Sequence, residues 1–143
     1  MPQYIHVAAG VILNAQREVL LALRPRDKHQ GGLWEFPGGK VEAGETVQQA
    51  LARELLEEIN LTVLESSRLL VVDHDYGDKQ VTLEVLLVTQ HSGIPEGREG
   101  QTITWVHIDN LHSYAFPEAN TPIVRALQEY QFPSHLEYES PAT

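Results

Sequence analysis

The stretch that decides the fold is residues 36–61, FPGGKVEAGETVQQALARELLEEINL. It opens with a turn at residues 37–39 and continues as a predicted helix. Thr46 is a favoured N-cap residue, and Gln49 three positions later completes a capping box. Asn60 stands where a left-handed C-cap residue is expected, and Asn is the second choice there after Gly. The sequence therefore predicts one helix between Thr46 and Asn60.

Three carboxylates share one face of this helix. Glu54, Glu57 and Glu58 are spaced i, i+3 and i+4, which places them within an arc of about 100°. Like charges at such spacing destabilise an isolated helix by about 0.2–0.5 kcal/mol. A divalent cation that prefers oxygen ligands reverses the sign of that effect. We therefore interpret the helix as a magnesium-binding element, although three glutamates on a helix also occur as a solvated face. An apolar ridge beside the arc is predicted to pack: Val47, Leu51, Leu55 and Ile59.

Composition limits the class of protein. The chain has 143 residues, a net charge of −10 and no cysteine. This length predicts a single domain, assigned to residues 1–131, followed by a C-terminal tail at 132–143. The negative charge argues against a nucleic-acid polymer as partner. The first residues lack a signal-peptide pattern and no apolar run is long enough to span a membrane, so we expect a cytoplasmic protein with no membrane partner.

Apolar and β-branched runs alternate with turn residues along the rest of the chain. Strands are predicted at residues 4–13, 18–24, 33–36, 61–75, 81–89 and 102–108, and a second helix at 120–130. A turn is expected at residues 77–79 and a loop at 91–101. This order indicates the α/β (α+β) class, with a sheet between helices.

The helix belongs to a longer pattern that resembles the Nudix box. Gly39 is followed after five residues by Glu45, and after seven more by residues 53–61, RELLEEINL. The single departure is Asn60, where the family pattern has Gly, and Asn tolerates the same left-handed conformation. The resemblance implies the Nudix fold, a mixed β-sheet sandwiched between helices, and hydrolysis of nucleoside diphosphates linked to another moiety.

The likeness extends from about Tyr4 to Tyr130 and is nearest to the MutT subfamily. The residues that carry it are Leu23-Arg24, Asp27, His29, residues 35–40 (EFPGGK), 76–79 (YGDK), 99–101 (EGQ) and 116–120 (FPEAN). The resemblance implies hydrolysis of 8-oxo-dGTP and related oxidised guanine nucleoside triphosphates to the monophosphate and pyrophosphate. Such an enzyme sanitises the nucleotide pool and prevents A·T to C·G transversions.

Phosphoanhydride hydrolysis needs charge neutralisation, a positioned water and a proton acceptor. The metal, Mg²⁺ with Mn²⁺ as a substitute, is expected to be held by Gly38, through its backbone carbonyl, and by the side chains of Glu54, Glu57, Glu58 and Glu99. The catalytic candidates are Glu54, Glu57, Glu99, Arg53 and Lys40. Glu54 and Glu99 are both candidates for the proton acceptor. Arg53 is expected to orient carboxylates and Lys40 to contact phosphate. Glu99 and Lys40 also have the simpler interpretation of exposed surface residues.

Residues carried over to the nucleotide pocket are Arg24, His29, Glu35, Phe36, Pro37, Gly38, Asp78 and Asn120. Asn120 has the largest consequence, because its amide offers a donor and an acceptor side by side. 8-Oxoguanine presents O6 as acceptor and N7–H as donor, whereas guanine presents two acceptors. A buried amide can therefore reject guanine by roughly 10⁴-fold. The alternatives are that Asn120 only caps the second helix and that Phe36 belongs only to the core.

Two other functions remain open at this point. One is a Nudix pyrophosphohydrolase for another nucleotide, such as CTP or modified pyrimidine triphosphates. The other is a non-catalytic nucleotide-binding Nudix module, against which the intact set of Arg53 and three glutamates argues. In each case the partner is a small-molecule nucleoside triphosphate, and we expect a monomer.

Overall fold

Seven strands and two α-helices form within residues 3–24 and 32–129, the ranges that the computed structural model describes. The strands are β1 (Gln3–Ile12), β2 (Glu18–Leu23), β3 (Trp34–Glu35), β4 (Gly38–Lys40), β5 (Thr62–Asp75), β6 (Lys79–Ser92) and β7 (Ile103–His107). The helices are α1 (Val47–Ile59) and α2 (Thr121–Glu129), with 3₁₀ helices at Ile108–Ser113 and Glu118–Asn120.

The strands make two sheets. Four strands pair in the order β4-β1-β6-β5, and three pair in the order β3-β2-β7. β1 runs parallel to β6 and antiparallel to β4, so the larger sheet is mixed. The β5–β6 hairpin and the β2–β7 pair are antiparallel.

Side chains alternate across β1 and divide the core in two. Ala8 and Ile12 pack in one buried cluster with residues of α1. Ala9 and Val11 lie in a second buried cluster with residues of α2. This period of two is what a strand buried on both faces requires. The predicted α/β (α+β) arrangement, with a mixed sheet between helices, is confirmed.

Helix α1 begins and ends where its caps predict. The Thr46 side chain accepts a hydrogen bond from the Gln49 N–H, and the Gln49 side chain accepts one from the Thr46 N–H. Asn60 is left-handed, with φ 60° and ψ 35°. The ridge residues Leu51, Leu55 and Ile59 are buried, whereas Val47 is only partly so.

The structure differs from the prediction at the turn of residues 37–39. Gly38–Lys40 form strand β4, in which Gly38 faces Ala9 and Gly39 faces Ala8. A Cβ atom on Gly38 would overlap the Ala8 carbonyl oxygen, so only glycine allows this close approach. Residues that read as a turn therefore pair as an edge strand.

Two further differences concern length and local structure. Strand β6 continues to Ser92, beyond the predicted end at residue 89, because its pairing with β5 extends to Thr62. Neither 3₁₀ helix was predicted, since such short turns carry no periodicity. The structure does not describe residues 1–2, 25–31 or 130–143, so the predictions for Asp27, His29 and the tail lie outside it. Across the two described ranges, no helix is both long and apolar enough to cross a membrane.

Candidate active site

A cavity of about 490 Å³ lies on the α2-facing side of the four-stranded sheet. Its floor consists of apolar residues of the parallel pair β1 and β6, including Val7, Ala9 and Leu83. This volume is typical of pockets that hold a small organic ligand. The sheet thus supplies a rigid apolar surface on which a planar ring can rest.

Most of the nucleotide-pocket residues predicted from the sequence border this cavity. Its lining includes Arg24, Glu35, Phe36, Gly38, Lys40, Glu58 and Asn120. Pro37 is buried beside it, and its carbonyl accepts a hydrogen bond from the Gly10 N–H at 2.8 Å. Asp78 is exposed and does not line the cavity, whereas the next residue, Lys79, does.

Phe36 serves both the core and the cavity wall. It is buried and stacks on Phe116, with ring centroids 5.6 Å apart and planes inclined by 10°. Stacking of this kind fixes the ring in one orientation. The two interpretations of Phe36 as core and as pocket residue are therefore compatible.

Asn120 lies at the end of the 3₁₀ helix Glu118–Asn120 and borders the cavity. It is the buried polar residue of the described core, with 9% of its surface exposed. The chain passes directly from this 3₁₀ helix into α2, and Thr121 is already in the right-handed helical conformation. Asn120 is therefore not in the extended conformation of an N-cap residue.

The segment that carries Asn120 is held by the β5–β6 hairpin. The Tyr76 hydroxyl accepts a hydrogen bond from the Ala119 N–H at 3.0 Å. His74 packs its ring against Tyr76 and lies 3.2 Å from the Glu118 carboxylate. These contacts fix the main chain directly before Asn120.

An ion pair closes one edge of the cavity. Arg24 Nη1 lies 2.6 Å from the Glu35 carboxylate. Burial raises the pKa of Glu35, and the nearby Arg24 charge opposes that rise. The pair gives this edge a donor and an acceptor within reach of a polar ligand.

Arg53 organises the carboxylates at the other edge. Its guanidinium donates to both oxygens of Glu45, at 2.7 and 3.0 Å, in a bidentate pair. It also donates to Glu54 at 2.9 Å, to Glu57 at 3.4 Å and to the Lys40 carbonyl at 3.1 Å. One side chain thus ties the loop before α1, the face of α1 and strand β4 together.

Burial and mutual repulsion both act on the carboxylates of the acidic face of α1. Burial is the main cause that raises the pKa of Glu58 to about 8. Neighbouring negative charges add to the rise, and they belong to Glu54, Glu35, Glu99 and Glu57. Burial also raises the pKa of Glu54. A hard divalent cation binds carboxylate oxygens and removes the repulsion between them. The chemistry of these partly buried residues therefore fits such an ion.

Gly39 leaves room for one of these carboxylates. A Cβ atom at Gly39 would overlap the carboxyl group of Glu54. The glycine therefore lets the Glu54 side chain lie flat against strand β4. Its position in the sequence pattern has a direct steric reason.

The carboxylates predicted to bind the cation do not converge on one point. Within residues 3–24 and 32–129, no three or more Asp, Glu, His or Cys side chains are arranged to hold a metal ion. Arg53 engages Glu54, and the Glu57 side chain is 60% exposed. The assignment of these residues as metal ligands stays a prediction.

Glu99 lies in the exposed loop before β7. The neighbouring Arg98 N–H donates to the Glu58 carbonyl at 2.9 Å, so the fold brings this loop to the end of α1. The negative charge of Glu99 contributes to the raised pKa of both Glu54 and Glu58. The Glu99 N–H donates to the Gln101 side chain at 2.9 Å.

Several residues of the site were not assigned a role from the sequence. Tyr76 and Lys79 lay within the quoted YGDK segment, and Glu45 within the box, but only the fold shows what they contact. The apolar floor on β1 and β6 had no signal beyond ordinary strand periodicity.

Comparison with known proteins agrees with this geometry. A family model described as the NUDIX domain matches residues 8–126. An 8-oxo-dGTP diphosphatase of Escherichia coli is 37% identical over 124 residues, which cover 87% of this chain and 96% of that protein. A CTP pyrophosphohydrolase of the same organism is 32% identical over 122 residues, covering 85% and 90% of the two chains.

A solved structure supports the same relationship. It comes from a study of MutT from Aliivibrio salmonicida and Vibrio cholerae, with a TM-score of 0.79 and 46% identity. The alignment covers 90% of this chain and 100% of that one. The match of the domain across most of its length shows that this chain belongs to the Nudix family of hydrolases.

Proposed function

We propose that this chain is a magnesium-dependent diphosphatase that converts 8-oxo-dGTP and related oxidised guanine nucleoside triphosphates to the monophosphate and pyrophosphate. The observation that carries the proposal is the buried Asn120 amide at a nucleotide-sized cavity whose opposite edge is acidic. The cellular role would be to remove oxidised guanine nucleotides before they enter DNA and so prevent mutation. We place the enzyme in the cytoplasm as a monomer.

The polyphosphate would lie toward the acidic face of α1. The cation, Mg²⁺ or Mn²⁺, would be held by Gly38, through its carbonyl, and by Glu54, Glu57, Glu58 and Glu99. When bound, it supplies charge neutralisation for the phosphate oxygens and lowers the pKa of a coordinated water.

The remaining polar residues have distinct tasks at this edge. Arg53 holds Glu54 in place through the 2.9 Å ion pair and is itself fixed by Glu45. Lys40 borders the cavity and would contact phosphate oxygens there. Glu54 and Glu99 are the two candidates to accept a proton from the attacking water.

The base would lie on the apolar floor with its Hoogsteen edge toward Asn120. The amide oxygen of Asn120 accepts from N7–H of 8-oxoguanine while its NH₂ donates to O6. With guanine, the N7 lone pair faces the amide oxygen and one hydrogen bond is lost in a buried site. No hydrogen bond joins the Asn120 side chain to another residue of the described ranges, so its amide is available to a ligand.

A panel of nucleotides assayed with Mg²⁺ tests this proposal. We expect kcat/KM for 8-oxo-dGTP to exceed that for dGTP and CTP by at least about 10²-fold, with pyrophosphate as a product. A ratio near one would contradict the proposed substrate. A preference for CTP would favour the second enzyme function, for which the related CTP pyrophosphohydrolase is the precedent. Binding without magnesium-dependent release of pyrophosphate would instead indicate a non-catalytic module.

A further inference from the structure

The loop that carries Glu99 is bound to the carboxyl end of helix α1. The Glu96 N–H donates to the Ile59 carbonyl and the Arg98 N–H to the Glu58 carbonyl, both at 2.9 Å. The Arg98 side chain donates to the Leu56 carbonyl at 3.4 Å. The last carbonyls of a helix have no partner within the helix, and this loop provides partners for those of Glu58 and Ile59.

The loop also supplies the charge that the end of the helix lacks. The last turn of α1 contains no basic residue. The Arg98 side chain reaches the Leu56 carbonyl from the loop, and a positive charge there stabilises the negative end of the helix dipole. The loop and the helix end therefore form one structural unit.

Gln101 links the two acidic residues of this unit. Its side-chain oxygen accepts from the Glu99 N–H at 2.9 Å, and its side-chain NH₂ donates to the Glu58 carbonyl at 3.4 Å. The main chain of Gln101 packs closely against Gly97, because a Cβ atom on Gly97 would overlap the Gln101 carbonyl oxygen. A single amide thus spans the main chain of Glu99 and that of Glu58.

We propose that Gln101 is a positioning residue that holds Glu99 against Glu58, so that the affinity for a divalent cation depends on Gln101 acting through Glu99. The inference rests on the proposed metal-dependent function. Glu99 is exposed and repels the other carboxylates when no cation is present. Without the amide link Glu99 would move away from Glu58 while the Glu96 and Arg98 N–H groups keep the rest of the loop in place. Binding a cation would then bear the cost of ordering Glu99 again.

The test is cation affinity of the nucleotide-free protein, measured calorimetrically with Mn²⁺ as the probe. Gln101→Met keeps the length of the side chain but removes its donor and acceptor. We expect Mn²⁺ to bind about tenfold more weakly, the usual effect of removing a group that orients a ligand. If Gln101→Met folds poorly, Gln101→Asn takes its place in the test. The Asn side chain is too short to span both backbones, so it should also weaken Mn²⁺ binding.

Gln49→Met is the matched control at the other end of the same helix. It removes the capping-box hydrogen bond that the Gln49 side chain accepts from the Thr46 N–H at 2.9 Å, without touching Glu99. It should lower the melting temperature and leave Mn²⁺ affinity unchanged. Equal weakening by Gln49→Met and Gln101→Met would overturn the inference, because general destabilisation would then explain both.

A double-mutant cycle decides whether Gln101 acts through Glu99. In the Glu99→Gln background, Gln101→Met should cause no further loss of affinity. Independent and additive losses, or wild-type affinity in Gln101→Met, would contradict the inference alone. A wild-type protein that binds no Mn²⁺ and releases no pyrophosphate would instead overturn the proposed function, and the inference with it.

Discussion

The two edges of the cavity are built in opposite ways. The acidic edge comes mainly from one helix and the loop that leads into it, and Arg53 contacts Glu45, Glu54 and Glu57 within a short stretch of chain. The edge where we propose that the base binds, the base-binding edge, comes from separate elements, with Phe36 before β4, Tyr76 on the β5–β6 hairpin and Asn120 before α2.

This contrast shows that the charge of the site comes from residues close together in the sequence, whereas its shape comes from residues far apart in the sequence. The acidic edge depends on helical spacing, so a local pattern is enough to specify it. The base-binding edge depends on the pairing of strands remote in sequence, so it exists only once the sheet has formed. Substitutions at the acidic edge should therefore affect turnover, and substitutions at the base-binding edge should affect selectivity.

The sharpest test of the acidic edge is Glu54→Gln. We expect kcat to fall by about 10³-fold or more, because the variant loses a charged cation ligand or the proton acceptor. The circular dichroism spectrum should be unchanged, because the amide keeps the shape of the side chain. Glu129→Gln, at the exposed end of α2, is the control and should be fully active. Turnover within tenfold of wild type would remove Glu54 from the mechanism.

Asn120→Ala tests the base-binding edge. The preference for 8-oxo-dGTP over dGTP should fall by at least about 10²-fold, mainly because kcat/KM for the oxidised nucleotide decreases. The exposed Asn110→Ala serves as the matched control. If the ratio of the two kcat/KM values is unaltered in Asn120→Ala, Asn120 does not recognise the base.

Substitutions at the two adjacent glycines of β4 should differ in their effect on stability. Gly39→Ala would displace the Glu54 carboxyl group, and a shift of that size lowers kcat by about 10²-fold while the protein still folds. Gly38→Ala would meet the Ala8 backbone instead and should lower the free energy of unfolding by about 1–3 kcal/mol. Urea denaturation and initial rates distinguish the two, and identical behaviour of both variants would contradict the steric explanation.

Tyr76→Phe should have a smaller effect on the base-binding edge. It removes the hydroxyl that accepts from the Ala119 N–H, a bond whose net contribution is about 0.5–1.5 kcal/mol. We expect KM for 8-oxo-dGTP to rise about three- to tenfold while kcat is unchanged. Tyr4→Phe, which loses an exposed hydroxyl outside the cavity, should leave KM unchanged. A change in kcat alone would argue against a positioning role.

The smallest expected effect concerns acid stability. Hydrogen bonds from Arg53, followed by the backbone N–H of Glu42, lower the pKa of Glu45 to about 2 from 4.5. A lowered carboxyl pKa stabilises the fold above pH 4.5, and that contribution is lost as the pH falls toward 2. The urea concentration at the midpoint of unfolding should therefore decrease less steeply over this pH interval in Glu45→Gln than in the wild type. An equally steep decline in the variant would show that other groups cause it.

The sequence predicted the elements whose signals are local. The limits of α1 follow from Thr46, Gln49 and Asn60, each of which acts within one helical turn. Strand β4 was missed because its pairing with β1 depends on steric clearance at Gly38, which no propensity describes. Asp78 was placed in the pocket by resemblance alone, and the turn directs it away while Lys79 faces inward.

The site followed the same division. The carboxylate face of α1 could be derived from spacing, but the Arg53 network needed the loop of Glu45 to fold back onto the helix. The role of Tyr76 could not be derived, because its partner Ala119 lies on a distant segment. Contacts of this kind depend on tertiary structure and leave no period in the sequence.

The parallel pairing of β1 with β6 has a consequence for the order of folding. These strands come from opposite halves of the chain, and their pairing forms the floor of the cavity. During synthesis, the amino-terminal strand must wait for most of the chain to leave the ribosome before its central partner is available. Loop closure over such a distance is slow, so we expect the helix to form early and nucleotide binding to be among the last properties acquired.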